Sequence, residues 1–163
     1  MAAFRTIFSM AALLVVGSMP ALAADKASGA ISFKSYSGAV KFAWLVRGPD
    51  EMDEGKNLLR IYLSSSDIGA KIKACTTLSC ADKALGDGAM VDYNDARHLG
   101  YAVRLNNGMA QYSGGTDGNA FKLSINSADH LVGKLHIDDG AMGGAKVDAD
   151  FDLTLLNTFK TAR

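Results

Sequence analysis

Histidine beside two carboxylates is a ligand set that zinc or copper accepts, and one such grouping stands near the C-terminus. If residues 131–137 pair antiparallel with 147–153 across the 138–146 loop, Lys134 and His136 face Asp148, Asp150 and Asp152. His136 with Asp148 or Asp150 is then the candidate metal set. Asp148 and Asp152 lie about 13 Å apart along a strand rising about 3.3 Å per residue, so only two of the three acids can share one ion. Opposite charges across a sheet are also ordinary cross-strand pairs, contributing about 0.2–1 kcal/mol each. That second reading is preferred: no metal and no cofactor are expected, and His136, Asp148 and Asp150 remain the residues on which a metal is tested.

The other reactive side chains are more scattered. Cys75 and Cys80 are the two cysteines. Their C-x4-C spacing is not that of a redox or zinc-knuckle motif, and an even pair in an exported chain predicts a disulfide. Closing so short a loop stabilises by about 2 kcal/mol on the chain-entropy model. His98 and His130 fall in expected turns, with no partner at ligand spacing. Asp50, Glu51, Asp53 and Glu54 crowd one loop, GPDEMDEGK, without the D-x-[DN]-x-[DN]-G order of a calcium loop. The glycine-rich Ser113–Asn119 precedes no helix and lacks Lys-Ser/Thr, so it is no phosphate cradle. Neither a G-x-S-x-G elbow nor an H-E-x-x-H helix is present. No catalytic residue is assigned, and a non-enzymatic protein is expected.

These residues need elements to hold them, and the hydrophobic period is two. In Val147–Leu153 the apolar Val147, Ala149, Phe151 and Leu153 alternate with Asp148, Asp150 and Asp152. Successive side chains on a strand point to opposite faces, so the first set is core and the second faces water. Further strands are expected at Ile31–Phe33, Val40–Val46, Leu58–Leu63, Met90–Tyr93, Tyr101–Leu105, Met109–Tyr112, 121–125 and 131–137. Leu58–Leu63 is nearly all apolar and reads as central. Met90–Tyr93 reads as an edge, and residues 24–29 as a frayed start. Trp44, flanked by Phe42 and Val46, reads as core. Asn106-Asn107-Gly108 marks a tight hairpin. Two short helical turns near 67–86, started by Ser66 or Asp67 and weakened by Gly69, form a disulfide-closed insert across one end. The fold class expected is therefore all-β, an antiparallel β-sandwich of about eight strands with that insert.

The N-terminus bears on location. Arg5 precedes an apolar run from Ile7 to Val16, and Ala21-Leu22-Ala23 supplies a small-residue cleavage site, the layout of a signal peptide. The run is shorter than the roughly 20 residues that cross a bilayer. Residues 1–23 are read as signal peptide and 24–163 as a single domain, periplasmic or secreted, with no membrane anchor after cleavage. Removing Arg5 leaves 16 Lys+Arg against 17 Asp+Glu. A balance so near neutral excludes a nucleic-acid binder with a basic face and a polybasic membrane patch.

Phe42-Ala43-Trp44, Tyr62-Leu63-Ser64, Val132-Gly133-Lys134-Leu135 and Asp148-Ala149-Asp150-Phe151 resemble small secreted or periplasmic bacterial all-β proteins of uncharacterised activity. The resemblance covers most of the mature chain and brings no functional residue with it; Cys75 and Cys80 fall outside its pattern. Periplasmic lysozyme inhibitors are similar in size and class, but Tyr112-Ser113-Gly114-Gly115 puts the tyrosine before the Ser-Gly of their loop motif. The expectation is a periplasmic binding or accessory module with an unknown protein or small-molecule partner. The alternatives are a hydrolase inhibitor using the Ser113–Asn119 loop and a metal-binding protein using the C-terminal hairpin.

Overall fold

The computed structural model describes residues 26–53, 55–94, 98–115 and 118–163; the signal peptide read in 1–23 lies outside them. In chain order the strands are β1 (Lys26–Phe33), β2 (Tyr36–Val40), β3 (Phe42–Pro49), β4 (Asn57–Ser64), β5 (Gly88–Tyr93), β6 (His98–Leu105), β7 (Gly108–Gly115), β8 (Phe121–Asn126), β9 (His130–Asp138) and β10 (Ala145–Thr158). Helices α1 (Gly69–Ala74) and α2 (Leu78–Ala84) lie between β4 and β5. The chain is mostly strand, as its alternation predicts.

The expected antiparallel sandwich is not what forms. Among the described residues all ten strands join one sheet, in the order β2-β1-β10-β3-β4-β5-β6-β7, with β9 added to β10 and β8 to β9. β10 is the reason. Its first part pairs antiparallel with β1 and β9, while Leu155, Asn157 and Thr158 pair parallel with Leu45, Val46 and Arg47 of β3. The antiparallel pairings end at Asp152 and Thr154, the parallel one begins at Leu155, and a bulge follows between Leu155 and Asn157. There Leu155-Leu156 breaks the alternation, so Leu155 packs on the main core and Leu156 on a second one. A bulge turns a strand and increases local twist, and here it lets one strand serve both arms of a curled, mixed sheet.

The two arms face each other across the main core. Ile31, Phe33, Leu45, Ile61, Leu63, Val91, Val103, Leu135, Val147, Phe151 and Leu153 meet there. Phe121 of β8 sets its ring edge on Tyr93 of β5, centroids 4.9 Å apart. Asn126 donates to the Tyr93 hydroxyl at 2.7 Å. Two glycines make the bend feasible. A side chain at Gly29 would meet the Asp148 carbonyl oxygen at 2.0 Å, and one at Gly133 the Lys122 carbonyl oxygen at 2.3 Å. Glycine inside a strand commonly marks such close backbone approach.

Several local expectations change with this arrangement. Lys26–Gly29 belong to β1, paired with β10 from Lys26 onward, and are not a frayed start. β5 is interior, between β4 and β6, and not an edge. β4 is central as read, with Leu59, Ile61 and Leu63 inward and Tyr62 outward. The β6–β7 turn is carried by Asn106 and Asn107, with φ 48° and 63°, so the pair with positive φ is Asn-Asn and Gly108 already opens β7. Both central residues at positive φ is the requirement of a type I′ hairpin.

The helical pair forms where expected, but it lies on the outer face of β3 and β4 and not across an end. Trp44, Val46, Tyr62, Ile68, Ile72, Leu78, Ala81, Leu85 and Phe159 make a second core beneath it, so Trp44 is buried as read. Cys75 and Cys80 are joined as a disulfide across the link between α1 and α2. The Asp67 side chain accepts from Gly69 N at 2.9 Å, and Thr77 caps α2 by accepting from Cys80 N at 3.2 Å. Gly69 is there for packing. A built Cβ would lie 2.6 Å from the Trp44 indole nitrogen, so a larger residue would push the helix off the tryptophan. The C-terminal tail completes the cover: Leu78 N and Ser79 N donate to the Thr161 and Ala162 carbonyls.

Candidate functional site

The C-terminal hairpin adopts the register that the alternation predicts: Asp148 opposite His136, Asp150 opposite Lys134. His136 Nδ1 contacts Asp148 at 2.9 Å and Lys134 Nζ contacts Asp150 at 2.7 Å. Each of these acids thus has its own basic partner. Among the described residues no group of three or more His, Cys, Asp or Glu is placed to hold a metal ion; His136 and Asp148 touch, and Asp150 is bonded to the lysine. His130, expected in a turn without a partner, opens β9 and reaches Asp152 at 2.7 Å. Lys146 and Asp138 add a further rung at 3.0 Å. Hydrogen bonding to Lys146 and to Gly140 N holds the Asp138 carboxyl below its ordinary value, and bonding to Asp150 holds Lys134 above its own.

A second charged group was not legible in the chain. Arg60, outward on β4, donates through Nε and Nη2 to Asp92 of β5 at 2.5 and 2.9 Å, and through Nη1 to Asp82 of α2 at 2.8 and 2.9 Å. The Tyr62 hydroxyl donates to Asp82 at 2.6 Å. The Arg60 side chain is only 13% exposed. Burial opposes its charge, but Asp92 and then Asp82 outweigh that and raise its pKa. Burial first, and then the charge of Asp82, raises Tyr62 as well. Charge-assisted bidentate bonds of this kind are the strong ones. They rivet α2 to the sheet at the border of the second core.

Beyond that border the outer face of β4–β7 is open, and a cleft of about 520 Å³ lies on it. Gly100 and Ala102 of β6 line it beside Arg60 and Asp92, Met90 of β5, His98 of β6, and Gln111 and Ser113 of β7. Gly100 leaves the floor beside Asp92 without a side chain. The acidic loop supplies a further side of the cleft. Asp50, expected in a solvated turn, is buried at 7% exposure, accepting from Met52 N at 2.8 Å and from the Asn94 amide at 2.7 Å. His98 Nε2 lies 3.4 Å from the Ser113 hydroxyl. Ser113–Gly115, read as loop, belong to β7; residues 116 and 117 of the expected inhibitory loop lie outside the described residues.

Chemically, this cleft presents hydrogen-bonding groups at Gln111, Ser113 and His98. All three nitrogens of Arg60 are engaged by carboxylates. Arg60 with Asp82 and Asp92 carries one positive and two negative charges, so the nearby field favours neutral or cationic guests over anions. A floor of small residues, a few fixed polar groups and this volume are the features of small-molecule sites. No helix among the described residues is long and apolar enough to cross a membrane. Comparison with protein-family models, curated proteins and solved structures finds no match.

Proposed function

We propose that the protein is an exported, non-enzymatic binding module that takes a small neutral or cationic polar ligand in the β4–β7 cleft. The carrying observation is the pre-formed cleft itself. Gly100 and Ala102 lie among polar side chains held by the Arg60–Asp92 and Asp50–Asn94 bonds. A site whose polar groups are already positioned loses little ordering entropy on binding. Export accords with the signal-like N-terminus and with the Cys75–Cys80 disulfide, which suits an oxidising compartment.

The test is a calorimetric screen of residues 24–163. Neutral sugars, amino sugars and polyamines would be set against matched carboxylates and phosphates. Binding is expected from the first group, and Ala102→Trp, which fills the floor, should abolish it. Preference for the anions, or binding untouched by Ala102→Trp, would overturn the assignment to this cleft. Turnover of any bound compound would overturn the non-enzymatic reading.

A further inference from the structure

Three strands of the sheet have a free edge among the described residues: β2, β7 and β8. A free edge is a row of unpaired N–H and C=O groups, and proteins normally guard it with charge, bulges or shortness. β8 is guarded by Lys122 and by a register shift between Leu123 and Ile125. β2 has only five residues and is flanked by Lys34 and Lys41. β7 has none of these devices within its own length; the nearest charge after it in the sequence is Asp117. Its eight residues, GMAQYSGG, carry no charge and no proline, and pair with β6 without a register shift.

The order of side chains on β7 is also complementary to itself when reversed about Tyr112. On the inner face Ala110 would meet Gly114 of a second copy, and Tyr112 its own counterpart. On the outer face Gln111 would meet Ser113, and Met109 would meet Gly115. Apart from the tyrosine pair on the axis, each larger residue thus faces a smaller one, and nowhere do like charges oppose. Tyr112 stands at that axis, its phenol lying along its own strand beside Gly114. It stacks on Tyr101 with centroids 5.9 Å apart, its hydroxyl donates to the Gly115 carbonyl at 3.0 Å, and the residue is still 38% exposed. An aromatic pair directly across two strands is among the favourable cross-strand contacts.

We propose that two copies of this chain associate through β7, antiparallel about Tyr112, extending the sheet across a two-fold axis. A closed two-fold contact uses the same surface on both subunits, which the self-complementary order satisfies. One strand pair buries less than the roughly 1,600 Å² of a standard interface. The dimer is therefore concentration-dependent, with a dissociation constant of about 1 µM to 1 mM.

Sedimentation equilibrium of residues 24–163 over that range tests the proposal. Tyr112→Lys and Tyr112→Glu put like charges on the axis, so each variant alone should stay monomeric, and their equimolar mixture should recover a one-to-one dimer. Tyr112→Phe should dimerise as the native chain does. Circular dichroism checks that the charged variants fold. If they do not, amide exchange of the unaltered protein decides: β7 amides should gain protection as concentration rises while β8 amides do not. A native chain that stays monomeric throughout would overturn the proposal and leave β7 to a strand of another protein. A dimer indifferent to both charged variants, or unchanged β7 exchange, would overturn it in favour of a different surface.

Discussion

Arg60 and His136 both sit on outward positions of paired strands and both face aspartates across the ladder, yet their surroundings separate them. His136 and Asp148 are 62% and 71% exposed in their side chains, so water screens the pair and each keeps most of its hydration. Arg60 is overlaid by α2, and its three nitrogens find two carboxylates at hydrogen-bond distance. The same kind of contact is worth little in the first setting, where exposed pairs contribute about 0–1 kcal/mol. In the second, removing one partner leaves the others largely buried without their counter-charge. Burial, not the count of ion pairs, sets the weight.

Breaking the buried cluster should have the largest effect. Arg60→Met leaves Asp82 and Asp92 without their cation and should cost about 2–4 kcal/mol, below the fully buried case because both acids keep some exposure. Urea unfolding monitored by Trp44 fluorescence measures this, since Trp44 lies in the adjoining core. A loss under about 1 kcal/mol would mean that solvent already reaches the guanidinium and that the contrast with His136 is false.

A smaller effect is expected in alkali. Burial first, and then its bond to Asp139, pushes Tyr101 up to about 12. In the unfolded chain a tyrosine ionises near 10. Between those values the unfolded chain has lost a proton that the folded chain keeps, so stability falls as pH rises through the window and is insensitive to this group below it. Tyr62, raised more strongly, acts with the same sign. Tyrosinate absorbance of the folded protein should show Tyr62 and Tyr101 still protonated at pH 10. Ionisation of all tyrosines together near pH 10 would contradict the closed setting of these two.

The least effect belongs to the exposed ladder. Asp148→Asn should change stability by less than about 0.5 kcal/mol, read by the same unfolding measurement. A cost comparable to Arg60→Met would show that the ladder acts as a network rather than as separate pairs.

The ladder was legible because a period of two fixes both face and register: a one-residue slip would bury three carboxylates. His130 was missed as its fourth member only because the strand starts one residue before its first apolar position. The Arg60 cluster had no such signal. Asp82 and Asp92 stand 22 and 32 residues along the chain from Arg60, and what unites them is the docking of α2 on β4. The one available hint was a lone arginine inside the nearly apolar Leu58–Leu63, a position where a charge demands a partner. The cleft was equally hidden, because its floor comes from Gly100 and Ala102 of β6 lying between β5 and β7.

By itself the sequence determined what local sterics and alternation can determine: a strand-rich chain, the inward and outward faces of β10, the tight turn after β6, and the helical insert with its cysteine pair. The tertiary structure alone decided that β5 is interior, that the double leucine of β10 carries the strand from one arm to a parallel pairing with β3, that the helices lie on a face rather than an end, and that Arg60 gathers two distant aspartates. Those outcomes depend on which remote segments bury one another's apolar surface. That choice is made by the summed packing of the whole core, and no window of neighbouring residues contains it.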